Sequence, residues 1–459
     1  MNRLPLLVLL VLTASGCAPA QRATVEPEIL VDVAQPAPER PTNVILFIAD
    51  GYGPASATLG AAAKGAPLAL DSLEVGSVET SATDNRVTDS AAGATAYACG
   101  IKTYNGAIAV TVDRQPCRTV LEAAEARGMA TGLVATSRIT HATPASFAAH
   151  VPERGMEAEI ASQLAASDVD LLFGGGRRYF GFDPDASGEP ARDGTPTLEE
   201  TMLANGWSVA MSREGYDALE SLPAAAFLAQ SHLAYEIDRD GTDQPSLAEM
   251  TTKAIDLLAA SADAREHGFF LMVEASRIDH AGHGNDAAAH LHDILAYDEA
   301  TAAALAWAAR DGNTLIVATS DHETGGMTLG RDGIYFWDPQ PLLDATASFE
   351  AMTDAIRAGG DPAAIVREGL ALDELPEGTD EAIRGALASG NPYALGPVIR
   401  ELINQPAGIG WTTGGHTAVD VGLYAVGPGS QHFQGRMINA DVGRALFAAM
   451  GLPAPTASR

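Results

Sequence analysis

Basic residues are scarce in this sequence. It has 28 lysines and arginines against 59 aspartates and glutamates, and its only lysines are Lys64, Lys102 and Lys253. The net charge near −31 excludes nucleic acid and anionic lipid as partners attracted by bulk electrostatics, because both would be repelled. We interpret most of this acidity as a contribution to solubility. An anionic ligand would then need local positive charge, which bound metal ions supply well.

The N-terminal apolar run is too short for a membrane span. After Arg3, residues 6–12 are apolar but too few to cross a bilayer as a mature helix. Small residues lead from there to Cys17, in the pattern of a bacterial lipoprotein cleavage site. We therefore predict a signal peptide over residues 1–16, lipidation of Cys17, and a periplasmic or cell-envelope location. The alternative is ordinary cleavage and soluble secretion, because Ala14 replaces the usual leucine.

Cysteine is rare, with three in 459 residues. Once Cys17 is assigned to the signal, Cys99 and Cys117 are left, 18 residues apart. In an oxidising compartment we expect these two to form a disulfide. The alternative is a pair of free, buried thiols.

Short apolar runs alternate with alanine-rich helical stretches along the rest of the chain. The run at 43–48 is continuous and is followed by Asp50, as expected for a buried central strand. Strands alternating with helices in this way predict an α/β fold with a doubly wound, mostly parallel central sheet and helices on both faces. The other apolar runs are 130–136, 171–173, 269–273, 315–319 and 423–426, and the helical patterns are 120–126, 157–166, 247–262 and 296–309.

We expect one catalytic domain over residues 42–450, preceded by a proline-rich flexible linker over residues 17–41. Residues 183–245 and 335–408 are rich in proline and glycine and carry no motif. We interpret both as peripheral insertions around the same core rather than as independent domains.

Carboxylates and histidines follow several of the predicted strands. One such residue after a strand is a weak signal. In a sheet of this kind, however, ligands bind at the carboxyl ends of the strands, so several of these residues together predict a binding site. Carboxylate and imidazole together suit zinc, whereas carboxylate and hydroxyl oxygens suit magnesium. The residues that follow strands are Asp50, Glu274, Asp279, His283, Asp321 and His322, and His416 lies shortly before the run at 423–426.

A candidate nucleophile lies in the segment that starts at Thr88. Asp89 and Ser90 are followed by small residues, which is typical of a helix N-terminus, where unpaired backbone N–H groups favour phosphate. A serine at that position is suited to nucleophilic attack. The alternative is that Asp89 or Ser90 is only the helix cap, and the segment alone does not decide between the two.

Several motifs, taken in order, resemble those of the alkaline phosphatase family from about residue 42 to residue 450. Two further segments, 172–179 and 235–251, are similar to the animal enzymes in particular. The family motifs are Asp50-Gly51, Asp89-Ser90-Ala91, His141-Ala142-Thr143-Pro144, Glu274 with Arg277, Asp279, His280 and His283, and Asp321-His322 with Glu323-Thr324-Gly325-Gly326.

The resemblance implies a site with two Zn²⁺ and one Mg²⁺. Asp279, His283 and His416 would hold the first zinc. Asp50, Asp321 and His322 would hold the second, to which Ser90 would also coordinate. The magnesium would be held by Asp50, Thr143 and Glu274.

The resemblance further implies hydrolysis of small phosphate monoesters through a phosphoserine at Ser90. Members of the family are often homodimers, and the sequence itself carries no dimer signature. Zinc can lower the pKa of a serine hydroxyl directly, so no separate base is required. Arg154 would bind two phosphate oxygens. His141 would lie near magnesium and His280 near phosphate, as in the animal enzymes, which predicts a marked response to added magnesium and an alkaline optimum.

Three other functions would be favoured by different residues at these positions. A sulfatase requires a Cys or Ser followed by Pro and Arg, which neither Cys99 nor Ser90 satisfies. A phosphodiesterase of the same superfamily generally uses threonine and lacks the residues of the third metal. A catalytically idle metal-binding lipoprotein is the alternative from another class, and the full set of ligands argues against it.

Overall fold

The computed structural model describes residues 40–181, 197–391 and 394–453. The predicted signal peptide, Cys17 and nearly all of the predicted linker lie outside these residues, as does the first part of the predicted insertion 183–245. Within the described part, no helix is long and apolar enough to span a membrane.

A ten-stranded sheet forms the centre of the described chain, in the order β14-β2-β13-β8-β1-β7-β3-β4-β6-β5. All of its strands run in one direction except β13, which is antiparallel to both neighbours. Two small two-stranded sheets pair β10 with β11 and β12 with β9. The strands are β1 (Asn43–Ile48), β2 (Glu74–Glu79), β3 (Ala130–Arg138), β4 (Leu171–Gly175), β5 (Ser208–Ala210), β6 (Ala224–Phe227), β7 (Phe269–Glu274), β8 (Thr314–Thr319), β9 (Glu323–Thr324), β10 (Thr328–Leu329), β11 (Ile409–Gly410), β12 (His416–Thr417), β13 (Val421–Val426) and β14 (Gly435–Ile438).

Helices pack against both faces of this sheet. They are α1 (Pro54–Lys64), α2 (Ser90–Cys99), α3 (Val120–Glu125), α4 (Ala142–Ala148), α5 (Glu157–Ala166), α6 (Leu198–Ala204), α7 (Arg213–Asp217), α8 (Leu247–Ala260), α9 (Ala262–His267), α10 (Arg277–Gly284), α11 (Ala287–Asp311), α12 (Gln340–Asp344), α13 (Phe349–Arg357), α14 (Pro362–Gly369), α15 (Thr379–Ala388), α16 (Leu395–Ala407) and α17 (Asn439–Met450).

Strand β1 shows why the sheet is covered on both faces. Its six residues are all buried, and alternate side chains point to opposite faces of a strand. Val44 and Leu46 belong to one hydrophobic core, with helices α2 to α5 and α17, whereas Ile45 and Phe47 belong to a second core with α8 and α11. The predicted α/β class with a doubly wound, mostly parallel sheet is therefore confirmed.

Each apolar run predicted as a strand is a strand. The run at 423–426 lies in β13, whose reversed direction the apolar pattern did not indicate. The pattern also missed β2, β5, β6 and β14, which are short or carry few large apolar side chains. The helix predicted over 247–262 is interrupted because Ser261 caps the start of α9.

The two predicted insertions have different structures. In the first, β6 pairs with β4 and β5 pairs with β6, so this segment extends the edge of the central sheet. The second forms α12 to α16, which share a third hydrophobic core with α1 and α11. A disulfide joins Cys99, the last residue of α2, to Cys117, with 5.9 Å between their Cα atoms.

Candidate active site

The central strands bring three carboxylates to one edge of the sheet. Ile48 of β1 is in register with Glu274 at the end of β7 and with Thr319 at the end of β8. Asp50 and Asp321 follow two residues after these strand positions. Asp50, Glu274 and Asp321 therefore lie at the same level of the sheet, and all three are fully buried.

Helix α2 begins beside these carboxylates. Asp89 is its N-cap, and the Asp89 Oδ1 accepts a hydrogen bond from the backbone N–H of Ala92 at 3.0 Å. Ser90 is the first helical residue and is almost completely buried. Its Oγ lies 3.3 Å from Nε2 of His322. Of the two roles left open for Ser90, the structure assigns the cap to Asp89 and leaves the Ser90 hydroxyl facing the site.

Asp279, His283 and His416 form the first group of ligand atoms, which lie within 4.8 Å of one another. His283 Nε2 lies 3.1 Å from His416 Nε2 and 3.4 Å from the Asp279 carboxylate. The Nδ1 atoms donate to backbone carbonyls, His283 to Gly414 at 2.7 Å and His416 to Thr88 at 2.8 Å. In a neutral imidazole this hydrogen bond fixes the tautomer in which Nε2 carries the lone pair that a metal ligand requires.

Asp50, Asp279 and His322 form the second group. His322 Nε2 is 3.6 Å from the Asp50 carboxylate and 3.3 Å from that of Asp321. The family resemblance implies Asp321, rather than Asp279, as the partner of Asp50 and His322. In the structure both carboxylates are close to the second group, and Asp279 is shared with the first.

Asp50, His141 and Glu274 form the third group, with Asp50 again shared. Thr143, which the resemblance placed here, lies on the first turn of α4, and its hydroxyl is buried. Among the described residues, several buried polar atoms of this region have no hydrogen-bond partner. They are both carboxylate oxygens of Asp50, Oδ2 of Asp321, Oε1 of Glu274, Oγ1 of Thr143 and Nδ1 of His141.

The electrostatics of the site show a shortage of positive charge. Burial raises the pKa of Glu274 to about 7, and burial together with Asp279 and Glu274 raises the pKa of Asp321 to about 8. Burial and the neighbouring carboxylates also raise the pKa of Asp50 well above its usual range. Buried carboxylates in this arrangement are stable as anions only beside cations.

Arg154 is a basic side chain of this site and contacts Asp89, the residue before Ser90. Its Nη1 donates to Asp89 Oδ2 at 3.1 Å, and its Nη2 donates to His141 Nε2 at 3.1 Å. His280 lies on α10, where its Nδ1 accepts from Arg277 Nη1 at 3.0 Å. The structure therefore brings every predicted catalytic, phosphate-binding and metal-ligating residue to one site.

Sequence reasoning missed several residues around this site. Asn105 accepts a hydrogen bond from the Asp89 backbone N–H at 2.9 Å and donates to the Val87 carbonyl at 3.0 Å. His232 packs against His280, with 4.3 Å between ring centroids. No motif marks either residue. His232 follows β6, and only its place beyond the carboxyl end of a parallel strand could have indicated it.

A family model described as alkaline phosphatase matches residues 41–452. The chain belongs to the alkaline phosphatase family. It is 38% identical over 431 residues to an alkaline phosphatase of Schizosaccharomyces pombe, covering 88% of this chain and 80% of that protein. It is 37% identical over 425 residues to alkaline phosphatase 3 of Bacillus subtilis, covering 89% of this chain and 88% of that protein.

Solved alkaline phosphatases share the fold. The cold-active enzyme from the psychrophile Shewanella sp. superposes with a TM-score of 0.80 at 32% identity, covering 89% of this chain and 99% of that one. The Thermus thermophilus enzyme gives a TM-score of 0.79 at 32% identity, covering 90% of this chain and 92% of that one. This alkaline phosphatase is thus a metal-dependent hydrolase of phosphate monoesters.

Proposed function

We propose that this alkaline phosphatase hydrolyses phosphate monoesters through a covalent phosphoserine at Ser90. The observation that supports it best is the position of Ser90 at the N-terminus of α2, with Oγ 3.3 Å from His322 and the three groups of ligand atoms around it. A helix N-terminus and a set of bound cations both favour an anion at this point.

The donor atoms fit divalent metal ions. The first two groups combine imidazole nitrogen with carboxylate oxygen, which suits Zn²⁺. Asp50, Thr143 and Glu274 offer only oxygen, which suits Mg²⁺. The buried atoms without partners are those that such ions would contact. A variant of the alkaline phosphatase from the Antarctic bacterium TAB5, with a TM-score of 0.66 and 29% identity to this chain, is described with Mg bound in its M3 site.

Bound metal ions would supply Lewis acidity, which lowers the pKa of a nucleophilic hydroxyl and neutralises charge on phosphate. Ser90 Oγ gives up its proton to solvent as it forms the bond to phosphorus. The ester P–O bond breaks, and the leaving alkoxide takes up a proton from solvent and is released as the alcohol. Water later attacks the phosphoserine, which restores Ser90 and releases inorganic phosphate. Arg154 orients the phosphoryl group through two N–H donors, and Asp89 holds the guanidinium in place.

Substitution of Ser90 by alanine tests this mechanism. The S90A protein should lose turnover of p-nitrophenyl phosphate, and ³²P-labelled substrate quenched in acid should leave label on Ser90 of the wild type only. The matched control is Ser208→Ala, an exposed serine on β5 at the edge of the central sheet. Label on another residue, or an S90A rate equal to that of wild type, would exclude the phosphoserine at Ser90.

Two further measurements distinguish the alternatives. Rates on a monoester and on bis-p-nitrophenyl phosphate separate a phosphomonoesterase from a phosphodiesterase, and we expect the monoester to react much faster. Metal analysis of the purified protein should find two zinc ions and one magnesium ion per chain.

We also propose export to the cell envelope with a lipid anchor at Cys17. The support is the apolar run before Cys17 and the small residues at the cleavage site. Mass spectrometry of the mature N-terminus checks this, because lipidation adds acyl mass to a chain that starts at Cys17. An unmodified N-terminus at another residue would instead indicate soluble secretion.

A further inference from the structure

Three arginine–histidine contacts lie side by side next to the nucleophile. Arg154 donates to His141, and Arg277 donates to His280. The third contact joins Arg138, the last residue of β3, to His232. His141 and His280 have proposed roles beside magnesium and phosphate, whereas His232 has none.

The triple glycine at 174–176, where β4 ends, brings His232 to this place. Gly176 N–H donates to the Ser231 carbonyl at 2.8 Å. A Cβ atom at Gly175 would lie only 1.9 Å from that same oxygen, so only glycine permits so close an approach of the two backbone segments. The segment before His232 therefore crosses the carboxyl end of β4, and the imidazole projects toward the site.

His232 is anchored by a chain of polar contacts. Its Nε2 lies 2.5 Å from Nη1 of Arg138. Glu157 holds the same guanidinium in two places, with 2.7 Å from Nε to Oε2 and 2.8 Å from Nη2 to Oε1. Thr140 donates to Glu157 Oε2 at 2.7 Å. Because Arg138 and Glu157 are both largely buried, this fork fixes the position of the ring.

The His232 ring packs against both of the other histidines. Its centroid is 4.3 Å from that of His280, with 65° between the ring planes. It is 5.5 Å from that of His141, with 83° between the planes. The His141 and His280 centroids are also 5.5 Å apart, so the three rings form one edge-to-face cluster.

His141 and His280 need this support because their own hydrogen bonds are few. Each accepts from one guanidinium, and Nδ1 of His141 has no hydrogen-bond partner among the described residues. Rotation about the outer side-chain torsion of histidine is soft, so a single hydrogen bond leaves the ring plane poorly fixed. The His232 ring is the neighbour that both of them share.

We propose that His232 is a positioning residue that fixes the ring planes of His141 and His280, and through them supports the binding of phosphate and of the third metal. The inference rests on the roles proposed above for His141 and His280. In this role the His232 ring acts by packing against the other two rings, and its hydrogen bond to Arg138 keeps the His232 ring in place.

Two variants separate the ring from its hydrogen bond. His232→Ala removes both, whereas His232→Gln keeps an acceptor for Arg138 but no ring. We expect both variants to lower kcat/KM for p-nitrophenyl phosphate by about tenfold or more. Both should also raise the inhibition constant of inorganic phosphate and the magnesium concentration for half-maximal activity. Isothermal titration calorimetry should show correspondingly weaker binding of inorganic phosphate and of magnesium in the absence of turnover. The matched control is His150→Ala, which removes a partly buried histidine that pairs with Glu122 outside the site.

Three outcomes would overturn the inference. His232→Gln with wild-type constants would show that an acceptor for Arg138 is sufficient. Lower activity with unchanged phosphate inhibition and magnesium dependence would indicate only a general loss of structure. His150→Ala with the same changes would remove any special role of His232. Should His232→Ala fail to fold, His232→Gln carries the measurement, and wild-type turnover in the same assay tests the proposed function separately.

Discussion

At the scale of single residues, the Asp89 carboxylate accepts hydrogen bonds from three parts of the chain. It caps α2 through Ala92 N–H at 3.0 Å, accepts Gly106 N–H at 3.1 Å, and accepts Arg154 Nη1 at 3.1 Å. One side chain thus positions both α2, which begins at the proposed nucleophile Ser90, and Arg154, the proposed phosphate ligand. A substitution at Arg154 can therefore show whether the geometry of the guanidinium matters in addition to its charge.

Replacement of Arg154 by lysine keeps the positive charge and removes the planar guanidinium with its two parallel N–H donors. Because two charge-assisted donors become one, we expect R154K to raise KM and the inhibition constant of inorganic phosphate about 10–100-fold, with a smaller change in kcat. Steady-state kinetics with phosphate as competitive inhibitor measures this. Arg436→Lys is the control, since Arg436 pairs with Asp420 on the surface. Phosphate inhibition unchanged in R154K would argue against a phosphate contact.

At the scale of elements, helix α2, which begins at Ser90, packs against α17 at very close range. Helix α17 crosses α2 at Gly443, where a Cβ atom would lie 2.4 Å from the Ala96 carbonyl oxygen and 2.7 Å from that of Tyr97. The backbone of α2 cannot give way easily, because all ten of its residues are buried. The position of Ser90 therefore depends on a glycine in another helix.

Gly443→Ala should force α17 and α2 apart. We expect a loss of roughly 1–3 kcal/mol in the free energy of unfolding from overpacking, together with reduced turnover as Ser90 shifts. Denaturant unfolding and kcat on a monoester check the two effects. The matched control is Gly385→Ala in α15, where an added Cβ would meet no atom within 4 Å, so the substitution should be neutral or stabilising. Equal stability of the two variants would contradict the argument.

At the scale of the whole molecule, an acidic chain concentrates buried carboxylates at one edge of its sheet. In the protein without metal, burial and mutual repulsion raise the pKa of Asp321 from its ordinary 3.8 to about 8, and burial raises that of Glu274 from 4.5 to about 7. Between the ordinary and the raised values the folded protein binds more protons than the unfolded chain. Its stability therefore falls as pH rises through this window.

Metal removal should consequently destabilise the protein more at alkaline pH. Bound cations neutralise the carboxylates, and metal affinity itself rises as protons leave the ligands. We expect the drop in Tm on chelation to be clearly larger at pH 9 than at pH 6, in thermal unfolding at fixed free metal concentration. Asp321→Asn removes one buried charge, so the metal-free variant should lose less stability over the same pH range. A larger drop at pH 6 would refute this account.

Much of the fold could be predicted from local patterns. The continuous apolar runs at β1, β3, β7 and β8 indicated buried parallel strands, because such strands have no polar face. The direction of β13 and the short strands β5 and β6 could not be predicted, since strand direction and edge pairing depend on partners distant in sequence. The site residues were found by their places after strands and by their resemblance to one family.

The sequence by itself determined the candidate residues: a serine at a helix start, and carboxylates and histidines near the ends of buried strands. Only the tertiary structure decided how they group. It shares Asp279 between two ligand groups, separates the cap Asp89 from Ser90, and adds His232 to the site. The reason is that strand register and close approach at glycines such as Gly175 and Gly443 set these distances, and neither leaves a periodic pattern in the chain.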